Sequence, residues 1–203
     1  MITLYHAPMS RSCRVRWLLE ELGLPYRVVA LNMQGGDLKK PEYLAKNPLG
    51  TVPTIEDDGT TLFESGAIIE YLIERYGKGR LAPAPGSPDR PAYLQWLHWA
   101  EATALPPLSD IAQHTFLRPE SERIAAIVPD ARARSARVFT ALDAALAGRE
   151  YLVGGSFSGA DVMMGYSVHL GKLLGALPPA CKNASGYLEH LSARPAFHRA
   201  FGT

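Results

Sequence analysis

Cysteine is scarce in this chain. Cys13 and Cys181 are the only two among 203 residues. One near each end makes no disulfide framework and points to a reducing compartment, the cytosol by default. An excess of one charge is missing too: 21 basic and 20 acidic side chains leave a formal net charge of +1. No broad field draws such a chain to nucleic acid or an anionic membrane, so neutral or small partners are expected. No apolar run approaches the roughly 18 residues of a spanning helix, and Met1 to His6 show no basic region leading into a long apolar one. The expectation is a soluble, untargeted protein. The six histidines are scattered without an HExxH or Cys-His cluster, and Cys13 has no Cys-x-x-Cys partner, so no metal site is expected. Internal repeats are absent as well.

What the chain does have is apolar material and clear punctuation. Hydrophobic residues make up 47% of it, enough for one large core or two small ones. Ile2 to Tyr5 reads as a strand. A helix follows, with Val15, Leu18, Leu19 and Leu22 at helical spacing, ended by Gly23 and Pro25. Tyr26 to Leu31 is rich in β-branched residues, so the first thirty residues predict a βαβ unit with parallel strands. Helical character is weaker over Asp37 to Lys46. Val52 to Ile55 and Thr61 to Phe63 flank an Asp58-Gly59 hairpin signal. Ile68, Leu72 and Tyr76 then form one helical stripe before Gly77. Leu81 to Pro88 holds too many prolines for a regular element and reads as a linker. Beyond it, Tyr93 to Leu105, Glu120 to Ala147, Ala160 to Leu174 and Tyr187 to Phe201 read as helices, with Pro106-Pro107, Gly154-Gly155 and Pro178-Pro179 as breaks.

Two of the helix starts that carry serine can be set side by side. Ser158 and Asp161 have capping-box spacing, with Phe157 and Val162 placed for a hydrophobic staple, and this reads as scaffold. The other stretch, HAPMSRSCRVRW from His6 to Trp17, has two readings. Ser10 is either an N-cap, the commonest use of serine there, or a hydroxyl that holds a sulfur anion. Ser12 is a rival hydroxyl, expected to cap or face solvent. Cys13 invites a redox reading, because a helix N-terminus lowers a thiol pKa. Helical projection instead sets Cys13 beside Trp17, off the Val15, Leu18, Leu22 stripe, which predicts burial against the helical half. Tyr5 at a strand end reads mainly as packing.

The order of segments resembles that of the cytosolic glutathione transferases over essentially the whole chain. Ser10-Arg11-Ser12-Cys13-Arg14 is similar to the active-site segment of the serine-using classes, of theta/zeta-like bacterial type. Asn47-Pro48-Leu49-Gly50-Thr51-Val52-Pro53 resembles the family's loop before its cis-proline. Glu64-Ser65-Gly66-Ala67-Ile68 resembles the segment that grips the γ-glutamyl end of glutathione, and the Ser158 to Asp161 box resembles the family's capping motif. The resemblance implies a thioredoxin-like α/β domain (βαβ-α-ββα, residues 1–77), a Pro-rich linker (78–89) and an all-α domain (90–203) carrying the electrophile site. It also implies a homodimer and glutathione as co-substrate. Ser10 is then the residue that stabilises the thiolate, with Tyr5, Ser12 and Cys13 as alternatives.

For glutathione itself the resemblance implies main-chain pairing at Val52 beside Pro53, Ser65 and its helix terminus on the γ-glutamyl carboxylate, and Glu64 on the ammonium. Ser65 also reads as an N-cap. Lys39, with Lys40, can reach the glycine carboxylate. Thr51 stands where the family often has lysine or glutamine, which weakens one contact at that end. Leu105, Leu108, Ile111, His114, Thr115 and Phe116 are the candidates to line the electrophile pocket. The implied activity is conjugation of glutathione to small hydrophobic electrophiles. The alternatives are a glutathione-dependent isomerase or oxidoreductase, or a non-catalytic binding module of the same fold. The maleylacetoacetate-isomerase-like class is similar around Ser10 but sets its serines adjacent, and here Arg11 separates them.

The chemistry sets a scale. A free thiol has a pKa of about 8.5, and lowering it by about two units takes roughly 2.7 kcal/mol of preference for the anion. A helix N-terminus supplies about 0.3 to 2 kcal/mol and a hydroxyl hydrogen bond to an ion about 1.5 to 3. Ser10 and outward-pointing N–H groups after it would together suffice. Because nucleophilicity falls along with pKa, the shift yields only a severalfold gain in rate, and most of the acceleration must come from holding sulfur beside the electrophile.

Overall fold

The computed structural model describes residues 1–202. The chain divides into two compact units, residues 1–80 together with 192–202, and Leu81–Leu191.

In the first unit the expected α/β order is present. Strand β1 (Ile2–His6) is followed by α1 (Ser12–Leu22), β2 (Tyr26–Ala30), the single-turn α2 (Pro41–Leu44), β3 (Thr54–Asp57), β4 (Thr60–Phe63) and α3 (Ser65–Tyr76). The sheet order is β2-β1-β3-β4. β1 and β2 run parallel from Ile2↔Tyr26 to His6↔Ala30, as a helical crossover requires. β3 is antiparallel to β1, with Tyr5 opposite Thr54, and turns into β4 through Asp58 and Gly59, both at positive φ. That is the backbone a two-residue Asp-Gly hairpin demands. The weak helical signal over 37–46 resolves into a 3₁₀ turn, Asp37–Lys39, and α2.

Side chains of β1 alternate between two cores. Tyr5, Ala7, Tyr43 and Val52 cluster on one face with Val29, Leu31 and Leu38, while Leu4 is fully buried with Val15, Leu18, Leu19, Ile68 and Leu72. The last helix, α9 (Pro195–Phe201), packs on α1. Trp17 meets Phe197 edge-on with ring centroids 5.0 Å apart, and Phe197 stacks on Phe201 at 4.1 Å. Arg194 makes a two-pronged ion pair with Glu21, at 2.7 and 2.8 Å. The terminal segment, placed with the helical domain from sequence, thus clusters with the α/β unit, because α1 carries an aromatic face that the sheet does not cover. The reading of Tyr187 to Phe201 as one helix is corrected to two, α8 (Lys182–Ser192) and α9, divided at Arg194-Pro195.

The second unit is helical: α4 (Arg90–Trp99), α5 (Leu105–Ala112), α6 (Ile127–Ala145), α7 (Gly159–Leu173) and α8 (Lys182–Ser192). The Pro106-Pro107 break is absent. A five-residue π-helical segment, Ala100–Ala104, carries α4 into α5, and the prolines fall in the first turn of α5. There their missing N–H groups cost little. Ser167 donates to the loosened carbonyl of Ala100 at 3.2 Å. Helix α6 begins at Ile127 rather than at Glu120, since 120–122 form only a 3₁₀ turn. α7 is the centre of this unit, buried at every residue from Gly159 to Val168. A Cβ at Gly171 would meet the Phe139 ring at 2.3 Å, so the ring from α6 lies over α7 at a point where glycine leaves room for it. No helix among the described residues is long and apolar enough to cross a membrane.

Candidate functional site

The register sets where the loops of the first unit go. His6 pairs with Ala30 and Tyr5 with Thr54, and Thr54 pairs with Phe63. The segments 7–11, 31–53 and 64–65 therefore leave or enter the sheet at one end. Ser10, Lys39, Thr51, Val52, Pro53, Glu64 and Ser65 all lie in these segments. This is the C-terminal end of the parallel strands, where open α/β sheets gather ligands.

The first of these segments is a closed hydrogen-bond network. Helix α1 starts at Ser12 and has no side-chain cap; Ser10 lies two residues earlier, half-buried. The Ser10 hydroxyl donates to the Ala7 carbonyl at 2.7 Å and accepts the Ser12 N–H at 3.2 Å. It also lies 2.7 Å from the Ser12 hydroxyl. Ser12 Oγ accepts the Ala7 N–H at 3.1 Å and sits 2.7 Å from His6 Nδ1. The expectation of Ser12 as a cap or solvent-facing group is overturned, because its side chain is wholly buried against His6 and Ala7. The outward N–H groups expected after Ser10 are also absent for Ser12, Cys13 and Arg14. Their N–H groups bond back to Ser10 Oγ, the Ser10 carbonyl and the Arg11 carbonyl.

His6 is the residue that sequence reasoning missed. It shares the inward face of β1 with Ile2 and Leu4, and that alternation was the available signal. Burial, aided by the Arg16 charge, lowers its pKa to about 4, so the ring is neutral at pH 7.

The rival groups face elsewhere. Tyr5 donates to Glu56 at 2.7 Å, and Lys46 pairs with the same carboxylate at 2.5 Å. Burial and then Glu56 raise the phenol pKa, so the Tyr5 proton is already placed on a carboxylate, under Tyr43. Cys13 is 1% exposed, and burial pushes its thiol up, opposite to what a nucleophile needs.

The loop before β3 is stapled by a fully buried Asn47. Its amide donates to the Thr51 carbonyl at 2.8 Å and to Thr54 Oγ1 at 3.2 Å. The Tyr43 hydroxyl donates to the same Thr51 carbonyl. Gly50 is at positive φ, and a Cβ there would sit 2.7 Å from the Leu38 carbonyl, so the loop passes where only glycine fits. The Val52–Pro53 bond is cis.

At α3 the cap reading is corrected. Ser65 is the first helical residue, and Glu64 precedes it at φ 74° and ψ 110°. A glutamate at positive φ is strained by on the order of 1 to 3 kcal/mol, a cost that recurs at functional sites. The strain leaves Glu64 exposed and turns Ser65 inward, where its hydroxyl accepts from the buried Arg14 guanidinium at 3.0 Å. Lys39 is exposed, whereas Lys40 pairs with Asp37 at 2.6 Å.

The electrophile candidates in the second unit do not share one surface. Leu108 and Ile111 are fully buried core residues, because α5 turns them onto α6, so they cannot line an accessible pocket. His114 is nearly buried and accepts the Ile124 N–H at 3.0 Å, fastening the following loop. Leu105 and Thr115 are half-buried, and Phe116 is 61% exposed. His114 and Phe116 lie in a second π-helical segment, Gln113–Leu117. No group of three or more His, Cys, Asp or Glu among the described residues could hold a metal.

Both halves match known families. The family described as "Glutathione S-transferase, N-terminal domain" matches residues 4–84, and "Glutathione S-transferase, C-terminal domain" matches 105–195. Glutathione S-transferase 3 of Schizosaccharomyces pombe is 30% identical over 207 residues, covering 97% of this chain and 85% of its own. Disulfide-bond oxidoreductase YfcG of Escherichia coli is 31% identical over 210 residues, covering 98% and 94%. The crystal structure of glutathione transferase URE2P6 from Phanerochaete chrysosporium, in complex with oxidized glutathione, matches with a TM-score of 0.87 at 29% identity, covering 99% of this chain and 94% of that one.

Proposed function

Because the chain belongs to the glutathione S-transferase family, we propose that it conjugates glutathione to small apolar electrophiles, with the Ser10 hydroxyl holding the thiolate. One observation carries this reading. Of the four groups considered for that role, only Ser10 offers a half-exposed hydroxyl at the loop end of the sheet, while Ser12 and Cys13 are buried and Tyr5 serves Glu56. The binding of glutathione by structural relatives supports the tripeptide as co-substrate.

In this reading glutathione lies across the loop end. The Val52 main chain pairs with its cysteinyl residue as an added strand would. The α3 terminus meets the γ-glutamyl carboxylate, Glu64 meets the ammonium, and Lys39 reaches the glycine carboxylate. With the N–H groups of Ser12 to Arg14 already bonded, the Ser10 hydroxyl carries most of the thiolate stabilisation, and the dipole of α1 adds a smaller share. Leu105, Thr115 and Phe116 remain the candidates for the electrophile side. The serine-using, theta/zeta-like type, cytosolic location and homodimeric state belong to the same proposal.

The match to YfcG favours a second reading, glutathione-dependent disulfide reduction. Since Cys13 is buried, the sulfur doing that chemistry would also be glutathione's own. Retention on immobilised glutathione, followed by conjugation assays with an activated aryl halide, tests the first reading. Conjugation lost in Ser10→Ala supports it; disulfide reductase activity without conjugation favours the second. Absence of retention and of both activities leaves a binding module of the same fold.

A further inference from the structure

We propose that His6 positions the Ser10 hydroxyl, acting through Ser12, so that the Ser10 proton is left for the bound sulfur. The inference rests on the Ser10 reading and goes one step behind it. The protons and lone pairs of the network decide its direction. Ser12 Oγ has four polar neighbours: the Ala7 N–H, the Ala7 carbonyl, His6 Nδ1 and Ser10 Oγ. One lone pair is already taken by the Ala7 N–H. If His6 carries its single proton on Nδ1, it donates to the second lone pair, and the Ser12 proton goes to the nearer of its two remaining acceptors, Ser10 Oγ at 2.7 Å rather than the Ala7 carbonyl at 3.1 Å. Ser10 Oγ then accepts from both the Ser12 hydroxyl and the Ser12 N–H. Both of its lone pairs are filled, and its proton is the one left to place.

In the resting arrangement that proton goes to the Ala7 carbonyl at 2.7 Å. A thiolate beside Ser10 draws it away, because hydrogen bonds to an ion are roughly twice as strong as those between neutral groups. With the proton on Nε2 instead, the chain runs the other way. Ser12 donates to His6, its second lone pair opens, and the Ser10 proton can turn inward onto Ser12. The tautomer of one buried imidazole thus sets the direction of the serine pair. Burial keeps the ring neutral, with one N–H and one lone pair at neutral pH, and it also shields the chain from water. Donors in series polarise one another, strengthening the last bond by about 10 to 30%.

Three measurements test this. In wild-type protein, a long-range ¹H–¹⁵N spectrum should show His6 protonated on Nδ1; an Nε2–H tautomer overturns the proposal whatever the variants do. In His6→Leu, the pKa of bound glutathione, followed by thiolate absorbance, should rise by roughly half a unit, about threefold in ionisation constant. In His6→Asn, whose amide nitrogen can stand in for Nδ1–H, it should return close to wild type. Affinity for S-methylglutathione, which has no thiol, should hold in both variants, a result that a merely structural role for His6 would not give. A wild-type thiol pKa in folded His6→Leu, or an equal shift in His6→Asn, sinks the role of His6. Ser10→Ala is the control: if it leaves the bound thiol pKa unchanged, the Ser10 reading itself has failed.

Discussion

Helices α1 and α7 both begin next to serines, and the two starts are built for opposite ends. At α7 the polar groups face inward. Ser158 and Asp161 make both bonds of the capping box, and the Asp161 carboxylate also accepts from the Leu152 N–H at 3.0 Å and the Tyr187 hydroxyl at 2.9 Å. Asp161 is fully buried. At α1 there is no side-chain cap, and the network of His6, Ser12 and Ala7 ends on a half-exposed Ser10. In the proposed reading, the hydroxyl offered to sulfur is what remains when the rest of a terminus has been tied down behind it. Residue type alone does not separate a cap from a site; the direction in which the last proton points does.

The largest effect expected from this contrast is at α7. Asp161→Ala removes the acceptor for the Leu152 N–H, the Ser158 N–H and the Tyr187 hydroxyl. Leaving them buried and unpaired should destabilise the protein by about 4 kcal/mol, well beyond the ~1 kcal/mol of a simple cap. Denaturant unfolding measures this, and a loss near 1 kcal/mol would return Asp161 to an ordinary capping role.

The next effect is at α1 and depends on pH. His6 has a folded pKa near 4 against an ordinary 6.5. The unfolded chain therefore takes up the proton first, and stability present above pH 6.5 is lost as pH falls towards 4. Between pH 7 and pH 5 the loss should be about 2 kcal/mol, and His6→Asn should flatten it. Ser158→Ala comes next, at about 1 kcal/mol of stability with no effect on the bound thiol. Smallest is Cys13→Ala. With its thiol buried and pushed up in pKa, glutathione-dependent turnover should stay within about twofold, since the cysteine makes no thiolate of its own. A collapse of turnover in a folded Cys13→Ala protein would instead put the protein's sulfur at the centre.

The elements with local signals were legible from sequence: the βαβ unit, the Asp58-Gly59 hairpin, the capping box and the change from strands to helices. Elements decided by tertiary contact were not. Pro106 and Pro107 read as a stop because nothing local announces the π-helical turn that accommodates them. Arg194 and Phe197 give no local sign that their helix returns to Glu21 and Trp17. At the candidate site, the position of Ser10 just before α1 and the convergence of the loops could be reached from sequence, because motif order carries the topology. The burial of Ser12, the inward turn of Ser65 onto Arg14 and the loss of Leu108 and Ile111 to the core could not. Each depends on which neighbour a side chain meets; for His6 the alternation of β1 signalled the inward face, but not the contact with Ser12.

The measurement closest to the central claim is an ultraviolet titration of the glutathione complex, following the thiolate band in wild type and Ser10→Ala. The bound thiol should ionise about two units below the free thiol in wild type and return most of the way in the variant, while S-methylglutathione binds both equally. Identical titration curves for the two proteins would contradict the assignment of Ser10.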